Sequence, residues 1–193
     1  HGPALMEFLD MVELSDGSES RLGFRMPVQW VCRPSQDFRG FTGQVVSGRV
    51  GVGDLVASTT SGKTSKVKSI AIGDRAVDSA FDGQSILLTL EDEIDVSRGD
   101  VLAAAEAPPA TSDQFGAHLL WMGDQALLPG RHYWLKLGTR TVSAVVTEIR
   151  YKADINTQEQ LAAKRLELNE VANVHISLDQ PIAFEAHADN RLL

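Results

Sequence analysis

Residues 54–73 read DLVASTTSGKTSKVKSIAIG, and how this stretch folds decides the class of the whole chain. Gly62, Lys63 and Thr64, with the small residue Ala57 five positions before Gly62, fit a relaxed form of the phosphate-binding loop G-x-x-x-x-G-K-[ST]. Such a loop needs a strand before it and a helix after it, so that its amides and the helix N-terminus converge on the phosphates. DLVAS supplies the strand. The segment after Thr64 is short, carries Val67, Ile70 and Ile72, and ends at Gly73; it reads as a second strand. The expectation is a β-hairpin with Ser61-Gly62 at the tip. Gly62, Lys63 and Thr64 are then a false phosphate-loop match, expected to bind no cofactor.

The same pattern extends outward. From residue 23 to about 105, short apolar runs such as FRMPVQWVC and SILLTLE alternate with turn residues at Gly51–Asp54, Gly73-Asp74, Asp82-Gly83 and Gly99-Asp100. Short strands with frequent turns predict a sandwich or barrel rather than alternating strand–helix units. AAAEAPPATSD, residues 103–113, reads as a linker, because Pro108-Pro109 can continue neither a helix nor a strand ladder. Beyond it, HYWLKLG, SAVVTEIRY and NVHISLD alternate apolar and polar positions as half-buried strands do. Between the last two, NTQEQLAAKRLEL suggests a short helix with Asn156 and Glu159 as a capping pair. At the other end, Leu5, Phe8, Leu9 and Val12 recur at helical spacing after Pro3, so a short helix is expected over residues 2–12. The fold class is therefore all-β: two small barrels joined by a linker, with a short N-terminal helix.

Composition narrows the function. Of 193 residues, 43% are hydrophobic and 23% charged, enough for a packed core. The formal net charge of −8 disfavours non-specific nucleic-acid binding. No apolar run reaches the roughly 20 residues of a membrane-spanning helix. The single cysteine, Cys32, cannot form an internal disulfide and reads as a buried small hydrophobe. Lys63, Lys66 and Lys68 read as a solvated strand face. Glu91, Asp92, Glu93 and Asp95 lack the glycine-centred spacing of a calcium loop. The histidines at 1, 118, 132, 175 and 187 are scattered, His175 among polar neighbours that point to solvent. No metal site and no catalytic constellation is expected.

Taken together, FRMPVQWVCRP, DFRGFTGQVVSGRV, SGKTSKVKSI and LEDEIDVSRGDVLA resemble the second, elongation-factor-Tu-like domain of the large GTPase subunit of bacterial sulfate adenylyltransferase. WMGDQALLPGRHYWLKLGTRTV and LELNEVANVHISLDQPI resemble the third domain of that subunit, and GPALMEFL the last helix of its GTPase domain. The resemblance covers nearly all of residues 2–191 and implies three segments: a remnant GTPase helix over 1–14, a domain-2 barrel over 15–107 and a domain-3-like barrel over 108–193. The family pattern continues past AHADNRLL with further strands. The second barrel is thus expected to lack its final strands and to carry an open edge, covered by a neighbouring chain or partly disordered and open to self-association.

The resemblance also implies a role in sulfate activation in the cytoplasm. In the family a small subunit transfers the adenylyl group from ATP to sulfate, a nucleotidyltransferase reaction, and the large subunit hydrolyses GTP to drive it. GTP and magnesium belong to the GTPase domain and ATP to the partner. This chain has no Asn-Lys-x-Asp motif, so no catalytic residue carries over and the fragment alone is expected to be inactive. The expected partners are the small catalytic subunit and the chain's own GTPase domain. An RNA-binding module of a translation-type GTPase is the alternative; the net charge argues against it.

Overall fold

The structure, a computed structural model, describes residues 5, 6, 11, 23–157, 159–186, 189, 190 and 193. The helix expected over 2–12 and the 1–14 segment lie outside the described residues apart from Leu5, Met6 and Met11. Strands are the dominant regular structure among the described residues, as the alternating patterns require.

The first half forms β1 Arg25–Pro27, β2 Trp30–Cys32, β3 Gly40–Gln44, β4 Arg49–Gly51, β5 Leu55–Ser58, β6 Thr64–Ile72, β7 Arg75–Val77, β8 Ser79–Phe81, β9 Ser85–Leu90 and β10 Val101–Ala104. Seven of these run in the order β1-β10-β5-β6-β9-β3-β2, with β7 beside β6 and β4 paired to β8. The ladder does not close into a ring of hydrogen bonds. Its two end strands, β1 and β2, are instead consecutive in sequence. Val28 donates its N–H to the Asp100 carbonyl (2.8 Å) and Gln29 to Thr42 (2.8 Å), so the chain changes partner between the two strands. The sheet curls around Met26, Val28, Phe41, Val45, Val56, Val67, Ile70 and Leu88, all at most 2% exposed. Where β3 crosses β1 there is no room for a side chain: a Cβ on Gly43 would lie 2.4 Å from the Pro27 carbonyl oxygen and 2.8 Å from Met26 Cγ.

The second half forms β11 Ala110–Leu120, β12 His132–Leu137, β13 Arg140–Ala153, β14 Gln160–Leu161 and β15 Val171–Phe184. Its sheet runs β11-β15-β13-β12, with β14 beside β13. Among the described residues this sheet is open, with β11 at one edge and β12 and β14 at the other. Two apolar clusters share its inner face, one around Leu127, Leu166 and Val174 and one around Val142, Leu178 and Ile182.

Three expectations need correction. The stretch 154–166 holds no helix among its described residues. The Asp154 carboxylate accepts the amides of Asn156 (2.8 Å) and Thr157 (3.0 Å), an Asx turn that competes with helix initiation, and β14 comes directly after it. The linker is shorter than expected, because β10 runs to Ala104 and β11 starts at Ala110; only residues 105–109 lie between ladders. Cys32 is half-buried rather than buried, because it sits on the end strand β2.

The close crossing at Gly43 sets a test. Gly43→Ala is expected to lose about 3 kcal/mol in chemical denaturation, since backbone atoms must move. Gly62→Ala, at φ +68° with nothing within 4 Å of its Cβ, should cost only about 1 kcal/mol through backbone strain.

Candidate functional site at the junction of the two sheets

Two side-chain clusters fasten the sheets to each other. In the first, Arg25 of β1 donates from Nε to Glu185 Oε1 at 2.8 Å, with only 4% and 8% of the two side chains exposed. Its Nη1 donates to the Phe24 carbonyl (2.9 Å), and Asn190 Nδ2 donates to Glu185 Oε2 (2.9 Å). A pair this dry is held only if spare donors and acceptors are also matched, and these contacts engage Arg25 Nη1 and Glu185 Oε2.

The second cluster centres on Asp100. Its Oδ1 accepts from Thr60 Oγ1 (2.6 Å) and Arg140 Nη1 (3.2 Å), and its Oδ2 from the Ser97 amide (2.7 Å). Arg140 reaches on to Gln180 Oε1 (2.9 Å). Beside it, Thr139 Oγ1 donates to the Val28 carbonyl (3.0 Å), at the point where the first sheet changes partner. The turn between β12 and β13 is therefore pinned on the Arg98–Asp100 turn. The cavity left at this contact is about 20 Å³, room for a single water. The arrangement fastens the sheets and leaves little room at the Asp100 contact.

The residues singled out from sequence lie elsewhere. Ala57 pairs with Thr64 across the β5–β6 hairpin, and over its tip Gly62 donates its amide to the Ser58 carbonyl (2.8 Å) while Ser58 donates its own to Lys63 (3.0 Å). A nine-residue strand stands where a phosphate loop has its helix. Lys66 and Lys68 alternate with buried Val67 on the outer face of that strand. In the acidic stretch, Ile94 and Val96 are buried, Arg39 holds their carbonyls at 3.0 and 2.8 Å, and Asp92 trades hydrogen bonds with Ser65. Arg39 and Lys68 face Asp37, Glu91 and Glu93 across an open cleft of about 280 Å³, whose mixed charge favours no one class of ligand. Among the described residues, no three His, Cys, Asp or Glu groups are placed to hold a metal. His175 is exposed, with Nδ1 3.3 Å from Glu148.

At the far end of the second sheet, the loop 167–170 folds under Trp121. Asn169 is the one non-glycine residue at positive φ, +65°, among the described residues, and its amide meets the Trp121 carbonyl at 2.7 Å. Glu170 accepts from Lys152 Nζ (2.6 Å) and from the Glu167 amide (2.9 Å). The Lys152 hydrogen bond, and after it that amide, holds the Glu170 carboxyl below its ordinary range.

Sequence reasoning missed the junction. Arg25 and Glu185 stand 160 residues apart and belong to no motif. The one signal in the sequence was a charged residue, Arg25, in the otherwise apolar run FRMPV, since a charge at a core position needs a partner.

The sequence family described as GTP-eEF1A C-terminal domain-like matches residues 114–193. The bifunctional enzyme CysN/CysC of Xylella fastidiosa is 51% identical over 192 residues, which is 100% of this chain and 31% of that protein. Sulfate adenylyltransferase subunit 1 of Saccharophagus degradans is 44% identical over 190 residues, 98% of this chain and 40% of that one. The chain thus spans about a third of the length of these relatives. Among solved structures, Sup35 complexed with GDP matches with a TM-score of 0.83 at 19% identity, over 100% of this chain and 47% of that one. Translation elongation factor SelB of Methanococcus maripaludis matches with a TM-score of 0.69 at 22% identity, over 94% and 40%. At these identities the structural matches speak for the fold alone.

Three variants probe the contacts described. Arg25→Ala is expected to destabilise the chain by about 3–5 kcal/mol, because it leaves Glu185 buried and unpaired. Arg140→Ala, at a side chain 23% exposed, should cost about 1 kcal/mol. Glu170 is a depressed carboxyl, so its contribution is present above the unfolded value of 4.5 and fades as pH falls below it. Denaturation midpoints of Glu170→Gln and the parent chain should differ at pH 7 and converge near pH 3.

Proposed function

We propose that this chain, which over nearly its whole length is similar to sulfate adenylyltransferase subunit 1 and to a bifunctional CysN/CysC enzyme, is a non-catalytic coupling and interaction module of sulfate activation. Its task is to relay the state of a GTPase domain to the small subunit, which forms adenylyl sulfate from ATP and sulfate in the cytoplasm. The observation that carries this reading is identity of 44–51% across 98–100% of the chain. Magnesium and GTP are assigned to the GTPase domain and ATP to the small subunit.

The junction supports the mechanism. A relay must move as a body, and two side-chain clusters with almost no cavity between them resist independent motion of the sheets. Nucleotide-driven rearrangement then acts as a rigid-body shift. The outer faces of both sheets, which expose Trp30 and Trp134 among polar side chains, are open to a protein partner.

Affinity capture tests the proposal. The chain immobilised alone is expected to retain the small sulfate adenylyltransferase subunit and to show no GTP binding by calorimetry. Micromolar GTP binding would contradict it. Salt-dependent capture of transfer RNA without capture of the small subunit would favour the RNA-binding alternative instead.

A further inference from the structure

We propose that the hydroxyl-rich tip of the β5–β6 hairpin sets the angle between the two sheets, with Thr60 as its positioning residue. The residues Thr59-Thr60-Ser61-Gly62 do more than turn a hairpin. Each of the three hydroxyls reaches the segment 95–101. Thr59 Oγ1 accepts the Val101 amide (3.3 Å), Thr60 Oγ1 donates to Asp100 Oδ1 (2.6 Å), and Ser61 Oγ donates to the Asp95 carbonyl (3.2 Å). The Thr59 amide adds a bond to the Val101 carbonyl (3.0 Å). Thr60 itself is exposed, whereas Asp100 is buried. Its hydroxyl therefore enters from the surface to grip a carboxylate that is nearly out of water.

The geometry of Asp100 makes this the deciding contact. Arg140 meets Asp100 through one nitrogen at 3.2 Å, and its other terminal nitrogen goes to Gln180. A guanidinium defines an orientation by itself when two of its N–H groups meet one carboxylate. With a one-point contact, the plane of the carboxylate dictates the direction of approach. Two further bonds fix that plane: the Ser97 amide on Oδ2 (2.7 Å) and the Thr60 hydroxyl on Oδ1. The first lies within the Ser97–Asp100 turn itself. The second comes from 40 residues away, on a hairpin rooted in the β5–β6 ladder. At its length it is of the strong, charge-assisted kind. Thr60 is thus the link between that ladder and the carboxylate.

On the other side of the contact there is little slack. Gly99 has φ +97°, and a Cβ there would lie 3.2 Å from Arg140 Cδ and 3.4 Å from its Cα. The turn that carries Asp100 thus lies against the backbone of the residue that it binds, and a swing of the carboxylate is passed to the β12–β13 turn. The buried pair Arg25–Glu185 cannot replace this control. One side-chain contact joins the sheets at a point, about which they can turn; a second, oriented contact removes that freedom. This role concerns the two sheets alone and holds whatever partner the chain serves.

Pulsed electron–electron double resonance reads the angle. In a Cys32→Ser background, Asp82→Cys in the first half and Lys164→Cys in the second, both at exposed positions, carry the spin labels. The labelled parent is expected to give one narrow distance peak. Thr60→Val keeps the shape and removes the hydroxyl; it should raise the fraction of molecules outside that peak roughly tenfold, the scale of a hydrogen bond to a charged group. Thr60→Ala should do the same, and Thr60→Ser should keep the parent peak. Ser61→Ala removes a neighbouring hydroxyl that does not bond to Asp100 and should leave the peak unchanged. Arg140→Ala should broaden it, and Thr60→Val added to Arg140→Ala should broaden it no further, because both act through one carboxylate. A broad peak in the parent, a parent-like peak in Thr60→Val and Thr60→Ala, a broadened one in Thr60→Ser, an equal effect of Ser61→Ala, or additive broadening in the double variant would overturn the proposal.

Discussion

The buried contact between Arg25 and Glu185 is the constraint on which the arrangement of the two sheets depends. Taking a guanidinium and a carboxylate out of water costs several kcal/mol per ion, returned only when the partners meet in good geometry. Each half of the chain contributes one charge. Neither half can therefore leave the other without exposing an unmatched charge to an apolar surface or drawing water into it. The Asp100–Arg140 cluster adds orientation, because it fixes the β12–β13 turn on a turn of the first sheet. The five residues between the ladders, 105–109, are too few to let the sheets drift far, yet they do not themselves set an angle. The side chains do.

How much of this was legible in sequence depends on range. The β5–β6 hairpin could be read because its evidence is local: the β-branched residues after Thr64 and the glycine at the tip lie within a few positions of one another. The alternation in HYWLKLG and NVHISLD is likewise local, and it marks the face that each strand buries. The helix expected near residue 160 failed for a local reason too. Asn156 and Glu159 have the spacing of a cap, but Asp154 two residues upstream captures the amides first. The junction could not be read at all. Nothing near Arg25 names Glu185, and nothing near Asp100 names Arg140, so their pairing exists only once both sheets have formed.

The string Gly62-Lys63-Thr64 shows how the residues of a phosphate-loop pattern can serve a hairpin. A glycine with lysine and threonine after it cradles a phosphate only where successive amides point to one centre and a helix dipole backs them. In this chain the glycine turns a hairpin with φ +68°, and the residues after it commit their amides to a ladder with β5 and β9. The acidic stretch after β9 is similarly structural. Its buried Ile94 and Val96 face inward while Arg39 ties their carbonyls down, leaving the carboxylates to the surface.

β15 links the two ends of the second sheet, with an irregularity where Ser112 and Gln114 pair with Ile182 and Ser177. It begins beside Glu170, in the loop that carries Asn169, and ends beside Glu185 at the junction. Fourteen residues of strand span about 45 Å at roughly 3.3 Å per residue. The strand is therefore a lever with its fulcrum at the buried ion pair. A rotation of about 5° at the junction would carry the Glu170 loop through about 4 Å, given that strand rise. A small change of angle where the sheets meet is thereby enlarged at the far tip.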